Sequence, residues 1–352
     1  MQPTTPADVT VVIPAYNGAR FIREAIESCV SQSDDSFSVN VVVVDDASTD
    51  NTREIVGQVP GPITLLRHAA NQGRHVARNT GLAAAAGQFV KFLDQDDFLE
   101  PATLHAEFEL ARTSQADIVI AGHRIIRSDD DGRVQVVSEK CHPRCMEPRI
   151  PAILDGAAVP TAAALYRRTY IDGLAWDGNV PRLDDWDWFV QAALRMGKIV
   201  PIAHVSYSWR HHPLQYTHTS TLHQYACDHH IVLRKMERWL QENNAFIDTH
   251  KARLAQYYYK MLRAFYKFDR PWYRQTLQHI FELDPAFFPY CEPRNDVRWL
   301  CRVLGVRGGL FVYCHAADAY GGLRILTGRL KTAMRRALPA NTRQISNLKS
   351  QI

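Results

Sequence analysis

No stretch of the 352-residue chain is apolar for long enough to cross a bilayer. The opening residues, Met1 to Asp8, are polar and lack the apolar core of a secretory signal, so a cytoplasmic protein is expected. Cysteine is scarce. The seven are scattered and odd in number, which speaks against a disulfide framework and for reduced thiols. Cys141, His142 and Cys145 lie close together, but a fourth ligand at zinc spacing is missing. The net charge of +4 is too small to argue for a nucleic-acid partner. There is no P-loop and no G-x-G-x-x-G, which removes two common ways of cradling phosphates. Repeats and low-complexity segments are also absent. What remains is 46% apolar, enough for a sizeable core.

Taken in order, the first half alternates strand and helix. Val9 to Ile13 is a β-branched run closed by Pro14, and Val39 to Val44 is a second, stopped by Asp45-Asp46. Ile63 to Leu66 and Phe89 to Leu93 complete four strands. Helices are expected over 19–32, around Ile55 and Val56 with Thr49 or Asp50 as cap, and over 74–85 with Val76, Ala77 and Leu82 inward. This alternation predicts an α/β fold with a parallel sheet between helices. Further strands are expected at 117–121 and 162–166. A hairpin turn is expected at 128–132, a loop over 139–160, a helix over 185–196 and one or two short strands in 199–210. Beyond Thr221 only helical patterns persist, over 222–242, 248–268, 271–282 and 316–338. The expected boundary falls near 220, giving regions 1–220 and 221–352.

The chemistry gathers around Phe89–Asp97. A short apolar strand there runs straight into Asp94, Asp96 and Asp97. In open α/β sheets ligands bind beyond the carboxyl ends of the strands. Carboxylates at that place are hard oxygen ligands for Mg²⁺ or Mn²⁺. The same acids also suit a helix N-terminus, since Pro101 can open a helix. Asp45, Asp46 and Asp50 likewise suit turn and cap chemistry. A second cluster, Asp184-Asp185-Trp186-Asp187, opens a helix.

Four motifs in order carry a resemblance. They are Val11-Val-Ile-Pro-Ala-Tyr-Asn17, Val44-Asp-Asp-Ala-Ser-Thr-Asp50, Asn71-Gln-Gly73 with Ala77-Arg78-Asn79, and Leu93-Asp-Gln-Asp-Asp97. Together, over residues 8 to 215, the chain resembles the inverting family 2 nucleotide-sugar glycosyltransferases of GT-A fold. The resemblance implies a divalent metal, Mn²⁺ or Mg²⁺, held by Asp96 and Asp94 of the D-x-D. It implies that His212, or next His211, completes the metal or phosphate site. Imidazole suits Mn²⁺ and suits Mg²⁺ poorly. The donor, a UDP-sugar, would be held by Pro14, Ala15, Tyr16, Asp46, Arg74, Asp94 and Gln95, with Asp46 on the imide N–H of uracil. Asp185 aligns with the base that takes the acceptor's proton. Asp184 stands where the family often has Glu, and Asp187 reads as structural.

The implied reaction moves a sugar to a hydroxyl of a glycan or lipid-linked acceptor in cell-surface polysaccharide synthesis. A non-catalytic sugar-binding protein and a nucleotidyltransferase are the alternatives. After Asp318 no acidic residue follows, while Arg324, Arg329, Lys331, Arg335, Arg336, Arg343 and Lys349 do. Leu323, Leu326, Leu330, Ala333 and Ala337 form a stripe at helical spacing. This pattern suits peripheral contact with an anionic membrane or a helix docked on the core. A homo-oligomer is also compatible with the helical region.

Overall fold

The computed structural model describes residues 7–128, 134–140, 146–212, 221–289, 297, 301–302 and 305–310. The cysteine-histidine cluster at 141–145, residues 129–132 of the expected hairpin turn, the expected helix over 316–338 and the basic stripe lie outside these residues. Contacts divide the chain into two compact units, Met1–Tyr257 and Tyr258–Ile352.

The first unit holds the whole sheet. Its early elements are β1 (Val9–Ala15), α1 (Ile22–Val30), β2 (Val39–Asp45), α2 (Thr52–Gln58), β3 (Ile63–Arg67), α3 (Arg74–Ala84) and β4 (Phe89–Phe92). They are followed by β5 (Phe98–Leu99), α4 (Thr103–Ser114), β6 (Ile118–Ser128) and β7 (Val134–Lys140). The rest are α5 (Arg149–Leu154), β8 (Ala164–Arg167), α6 (Asp184–Leu194), β9 (Ile199–His211) and α7 (Leu222–Glu242). The expected α/β class holds. Nine strands run β3-β2-β1-β4-β8-β6-β9-β5, with β7 paired to β6. The first four are parallel to their neighbours. Beyond β4 the sheet turns mixed, because β8 runs antiparallel to both β4 and β6.

The β-branched runs became the interior. All seven residues of β1 and all four of β4 are buried, as strands covered on both faces must be. Lys91 sits among them. Its Nζ lies 2.7 Å from Glu107 Oε2 and 2.9 Å from Ser206 Oγ, so the buried charge is paired and hydrogen-bonded. Burial opposes ionisation of Glu107, but Lys91, His204 and Ser206 hold its carboxyl below the usual range.

Several local expectations changed. The segment 139–160 contains α5, a turn of helix that its Pro-rich composition hid. The stretch 199–210 falls within a single 13-residue strand, Ile199–His211. The α2 helix starts after Asn51 with no side-chain cap. Asp50 instead accepts from Thr52 N–H at 3.0 Å and from Ala19 N–H at 3.1 Å. The inward face of α3 is Ala77, Arg78 and Gly81 rather than Val76 and Leu82.

The helices after 220 match their expected spans: α7, α8 (Asp248–Phe268) and α9 (Arg270–Leu283). A capping box of Thr221 and Gln224 starts α7. Asp269 accepts from Trp272 N–H to start α9. In the second unit Tyr258 meets His279 edge-on at 5.1 Å, and Phe265 meets Trp272 at 5.1 Å. No helix among the described residues is long and apolar enough to cross a membrane.

Gly81 sets how closely α3 approaches the sheet. A Cβ there would lie 2.3 Å from Val12 Cγ1 and 3.3 Å from Val44 Cγ2. Both valines are fully buried and stiff at χ1. Gly81→Ala gains about 1 kcal/mol of helix propensity but overpacks the contact, which typically costs about 1–3 kcal/mol. A net loss of stability in urea unfolding is expected. A variant more stable than the parent would mean that α3 is free to move outward.

Candidate active site

The parallel strands deliver four loops to one edge of the sheet. The loop after β1 begins at Tyr16, which is 44% exposed at the end of a buried strand. The loop after β2 is laced to it. Asp46 N–H donates to Ala15 O at 2.7 Å. Asn17 N–H donates to Ser48 Oγ at 2.9 Å, and Thr49 N–H to Asn17 Oδ1 at 2.9 Å. The Asp46 carboxylate itself is buried. It accepts from Gln72 N–H at 3.0 Å, from Gly73 N–H at 2.8 Å, and pairs with His68 Nδ1 at 2.6 Å. Asp46 therefore fixes the Asn71-Gln-Gly73 turn that starts α3.

The loop after β4 carries the three acids. Asp97 is buried and accepts from Arg210 N–H at 2.9 Å. Burial, then the charges of Asp96 and Asp94, push its carboxyl well above the usual range. Arg210 Nε also donates to Asp96 O at 3.0 Å, and its Nη2 pairs with Glu24 at 2.5 Å. Asp96 Oδ2 meets His212 Nε2 at 2.9 Å, while the buried His212 Nδ1 makes no hydrogen bond. His211 packs edge-on against Trp209 at 4.8 Å. Asp94 Oδ1 pairs with Arg78 Nη2 at 2.5 Å.

Arg78 joins the two acidic clusters. Its side chain is 1% exposed, and its Nη1 lies 2.7 Å from Asp184 Oδ2 and 3.7 Å from Asp185 Oδ1. The guanidinium also lies over the Trp176 ring, 4.4 Å from its centre. Trp176 is held in turn by Asn79, whose amide bonds both its N–H and its C=O, and by Trp188 stacked 4.7 Å away. Arg74 grips Asp184 from the other side, with Nε at 2.6 Å and Nη2 at 2.8 Å, and donates to Pro181 O.

The neighbouring acids at the head of α6 differ sharply. Burial opposes ionisation of Asp184, but Arg78 and Arg74 outweigh it and hold the carboxyl below its usual value. Asp185 keeps 43% of its side chain exposed. The protein packed around it and the charge of Asp184 push it up to about 6, against the pull of Arg78. Asp187 faces away from this pair, bound by Lys235 Nζ and Gln191 Nε2, each at 2.8 Å. Lys235 also reaches Asp177 at 2.8 Å, so α7 braces the loop that carries α6.

Every residue expected at the site from the sequence is thus on this edge. Pro14, Ala15, Tyr16, Asp46 and Gln95 form one group, and Asp94, Arg74 and Asp185 meet around Arg78. Asp96 and His212 form a pair beside them. His68 and Arg210 were not anticipated, and Arg78 stood in the motif Ala77-Arg78-Asn79 without a role. No three acids, histidines or cysteines among the described residues converge as a ready metal cage.

The glycosyl transferase family 2 model matches residues 10–173. The chain is similar to the succinoglycan biosynthesis protein ExoO of Rhizobium meliloti, 36% identical over 149 residues, 42% of each chain. It is similar to the glycosyltransferase alr2836 of Nostoc, 33% identical over 172 residues, 47% of this chain and 52% of that one. The chain spans about half the length of these two relatives. Residues 1–349 of S. aureus TarS, crystallised with UDP-GlcNAc, share its fold with a TM-score of 0.62 and 18% identity. That match covers 90% of this chain and 92% of the other.

Removing Arg78 takes one of two arginines from buried Asp184, leaving it Arg74, and takes Asp94's arginine from it. Loss of one partner from a buried pair typically costs about 3–5 kcal/mol, so Arg78→Met should lose stability on that scale at pH 7. The depressed carboxyl of Asp184 stabilises the fold above its unfolded value and loses that contribution as pH falls through the folded one. With Arg74 alone the carboxyl is held down less than in the parent, so the deficit should narrow as pH falls into the carboxylate range. Denaturant unfolding across that range is the check, and a deficit that ignores pH would assign the loss to packing on Trp176.

Proposed function

Residues 10–173 are a glycosyl transferase family 2 domain, and from that premise we propose that the chain moves a sugar from a UDP-sugar to an acceptor hydroxyl with inversion. The observation that carries the reading is the contrast at α6. One carboxyl is locked as an anion by two arginines. The next is half-exposed, with a proton affinity near that of a working base. The relatives' names support polysaccharide synthesis as the setting, succinoglycan for one and teichuronic acid for TuaG of Bacillus subtilis. A glycan or lipid-linked acceptor fits that setting. TarS has been crystallised with both UDP-GlcNAc and UDP, which supports a uridine donor.

In this reading Asp185 accepts the proton as the acceptor oxygen attacks the anomeric carbon. The bond from that carbon to the diphosphate breaks, and UDP leaves with the electron pair. A single displacement inverts the centre. Asp46 meets three donors through four contacts, with Gln72 N–H shared between its oxygens, and the imide N–H of uracil would take over part of that shared contact. Tyr16 offers the base its exposed ring. Asp94 and Arg78 lie where the diphosphate would meet the acceptor side.

The donor set suits a divalent ion. Asp96 Oδ2 and His212 Nε2 meet at 2.9 Å, an oxygen and a nitrogen of the kinds such ions take. These two, with Asp94 beside them on the same loop, would hold the ion together with the donor's diphosphate, an arrangement that needs no all-protein cage. When bound, it would supply positive charge to the departing diphosphate.

UDP release from a panel of nucleotide sugars tests the reaction, and a chain that binds donors without turnover would be a binding protein instead. Asp185→Asn should cost about 10²–10⁴ in transfer rate and spare donor binding. The wild-type rate should rise with pH through about 6 and then level off, because the base works deprotonated. A rate that falls over that interval would place the base elsewhere.

For the ion, calorimetry with UDP and Mn²⁺ should show binding that EDTA weakens and that Asp96→Asn weakens alike. UDP binding indifferent to EDTA would remove the ion from the site.

A further inference from the structure

The middle residue of the acid triplet does something its neighbours do not. Gln95 spends both ends of its amide on one residue: Oε1 accepts from Tyr16 N–H at 2.8 Å, and Nε2 donates to Tyr16 O at 3.0 Å. These bonds span 79 positions of sequence and act as one rung of a ladder between the loop after β1 and the loop after β4. The amide lies flat against Gly18, where a Cβ would stand 2.2 Å from Oε1 and 2.7 Å from Cδ. Only glycine leaves that space. On the other side of Tyr16 the Ala15 carbonyl is taken by Asp46. Asp94 and Asp96, on either side of Gln95, pair with Arg78 and His212.

We infer that Gln95 is a positioning residue that couples the base platform to the diphosphate-binding acids, rather than a ligand of the nucleotide. The inference rests on the UDP-sugar reading. An ion and diphosphate held at Asp94 and Asp96 fix the loop after β4. Through the Gln95 amide that order passes to Tyr16, whose backbone conformation sets where the exposed ring lies. Binding at either end then prepares the other, and the two affinities are linked. Nothing else described at Tyr16 holds its N–H or its carbonyl.

Two probes separate the ends of the site. Pyrophosphate with Mn²⁺ reports the acids alone, and UDP with Mn²⁺ reports the acids and the base together. Gln95→Ala should weaken UDP about tenfold, the scale of two lost hydrogen bonds that position a contact, and leave pyrophosphate within about twofold. Gly18→Ala should reproduce that split from the other side, by pushing the amide off Tyr16 while keeping Gln95. Gln95→Glu keeps the acceptor for Tyr16 N–H but turns an oxygen towards Tyr16 O, and its loss should fall in between. Equal weakening of both probes would mean that Gln95 only holds the loop together, and no change in either would mean that it is idle. Each of these overturns the coupling. A wild-type protein that binds pyrophosphate but gains nothing from uridine overturns the donor reading itself, and the coupling falls with it.

Discussion

A single buried guanidinium holds the site together. Arg78 comes off the inner face of α3 and meets Asp94 from the loop after β4 and Asp184 from the head of α6. These loops are about a hundred residues apart in sequence and belong to separate elements. Placing an arginine at 1% exposure is costly unless its charge is balanced. Here the balance comes from acids that the proposed reaction would use, so stability and the proposed function draw on the same groups. The geometry also depends on Gly81. Without close approach of α3 to Val12, the guanidinium would stand off from the strand end that carries Asp94.

The charges on this edge are sorted. Asp184 is enclosed by Arg74 and Arg78 and stays an anion. Asp97 is buried beside two like charges and tends to hold its proton. Asp187 is spent on Lys235. Asp94, Asp96 and Asp185 are left facing the open side, with the acids of the D-x-D at one end of Arg78 and Asp185, the proposed base, at the other. Six carboxyls so close together would repel one another if treated alike. Sorting them by burial and by cation contact would let the proposed cation site and proton acceptor exist side by side.

The parallel half of the sheet was legible because β-branched runs such as Val39–Val44 have no other stable place than a doubly covered strand. The acids were legible because three carboxylates after such a strand have few structural uses. Arg78 was not legible as a role, since periodicity counts a charge as outward and cannot see Trp176 and Asp184 waiting from a hundred residues away. Asp46 was read as a nucleotide contact. Its hold on the Gln72 and Gly73 amides depends on how β3 returns beside β2, which no local pattern encodes. The turn of helix at α5 was hidden by its prolines. The length of β9 was hidden because burial alternates unevenly along it.

The proton affinity of Asp185 follows from this arrangement rather than from Asp185 itself. Packing and the anion at Asp184 raise it, and Arg78 lowers it. Asp184 acts twice, since it repels a second negative charge directly and also absorbs much of the Arg78 charge that would otherwise favour one. With Asp184 neutral, both effects would run the same way and leave Asp185 a weaker base. The acid at 184 is therefore a tuning element. The carboxyl held as an anion by two arginines sets how readily its neighbour takes a proton.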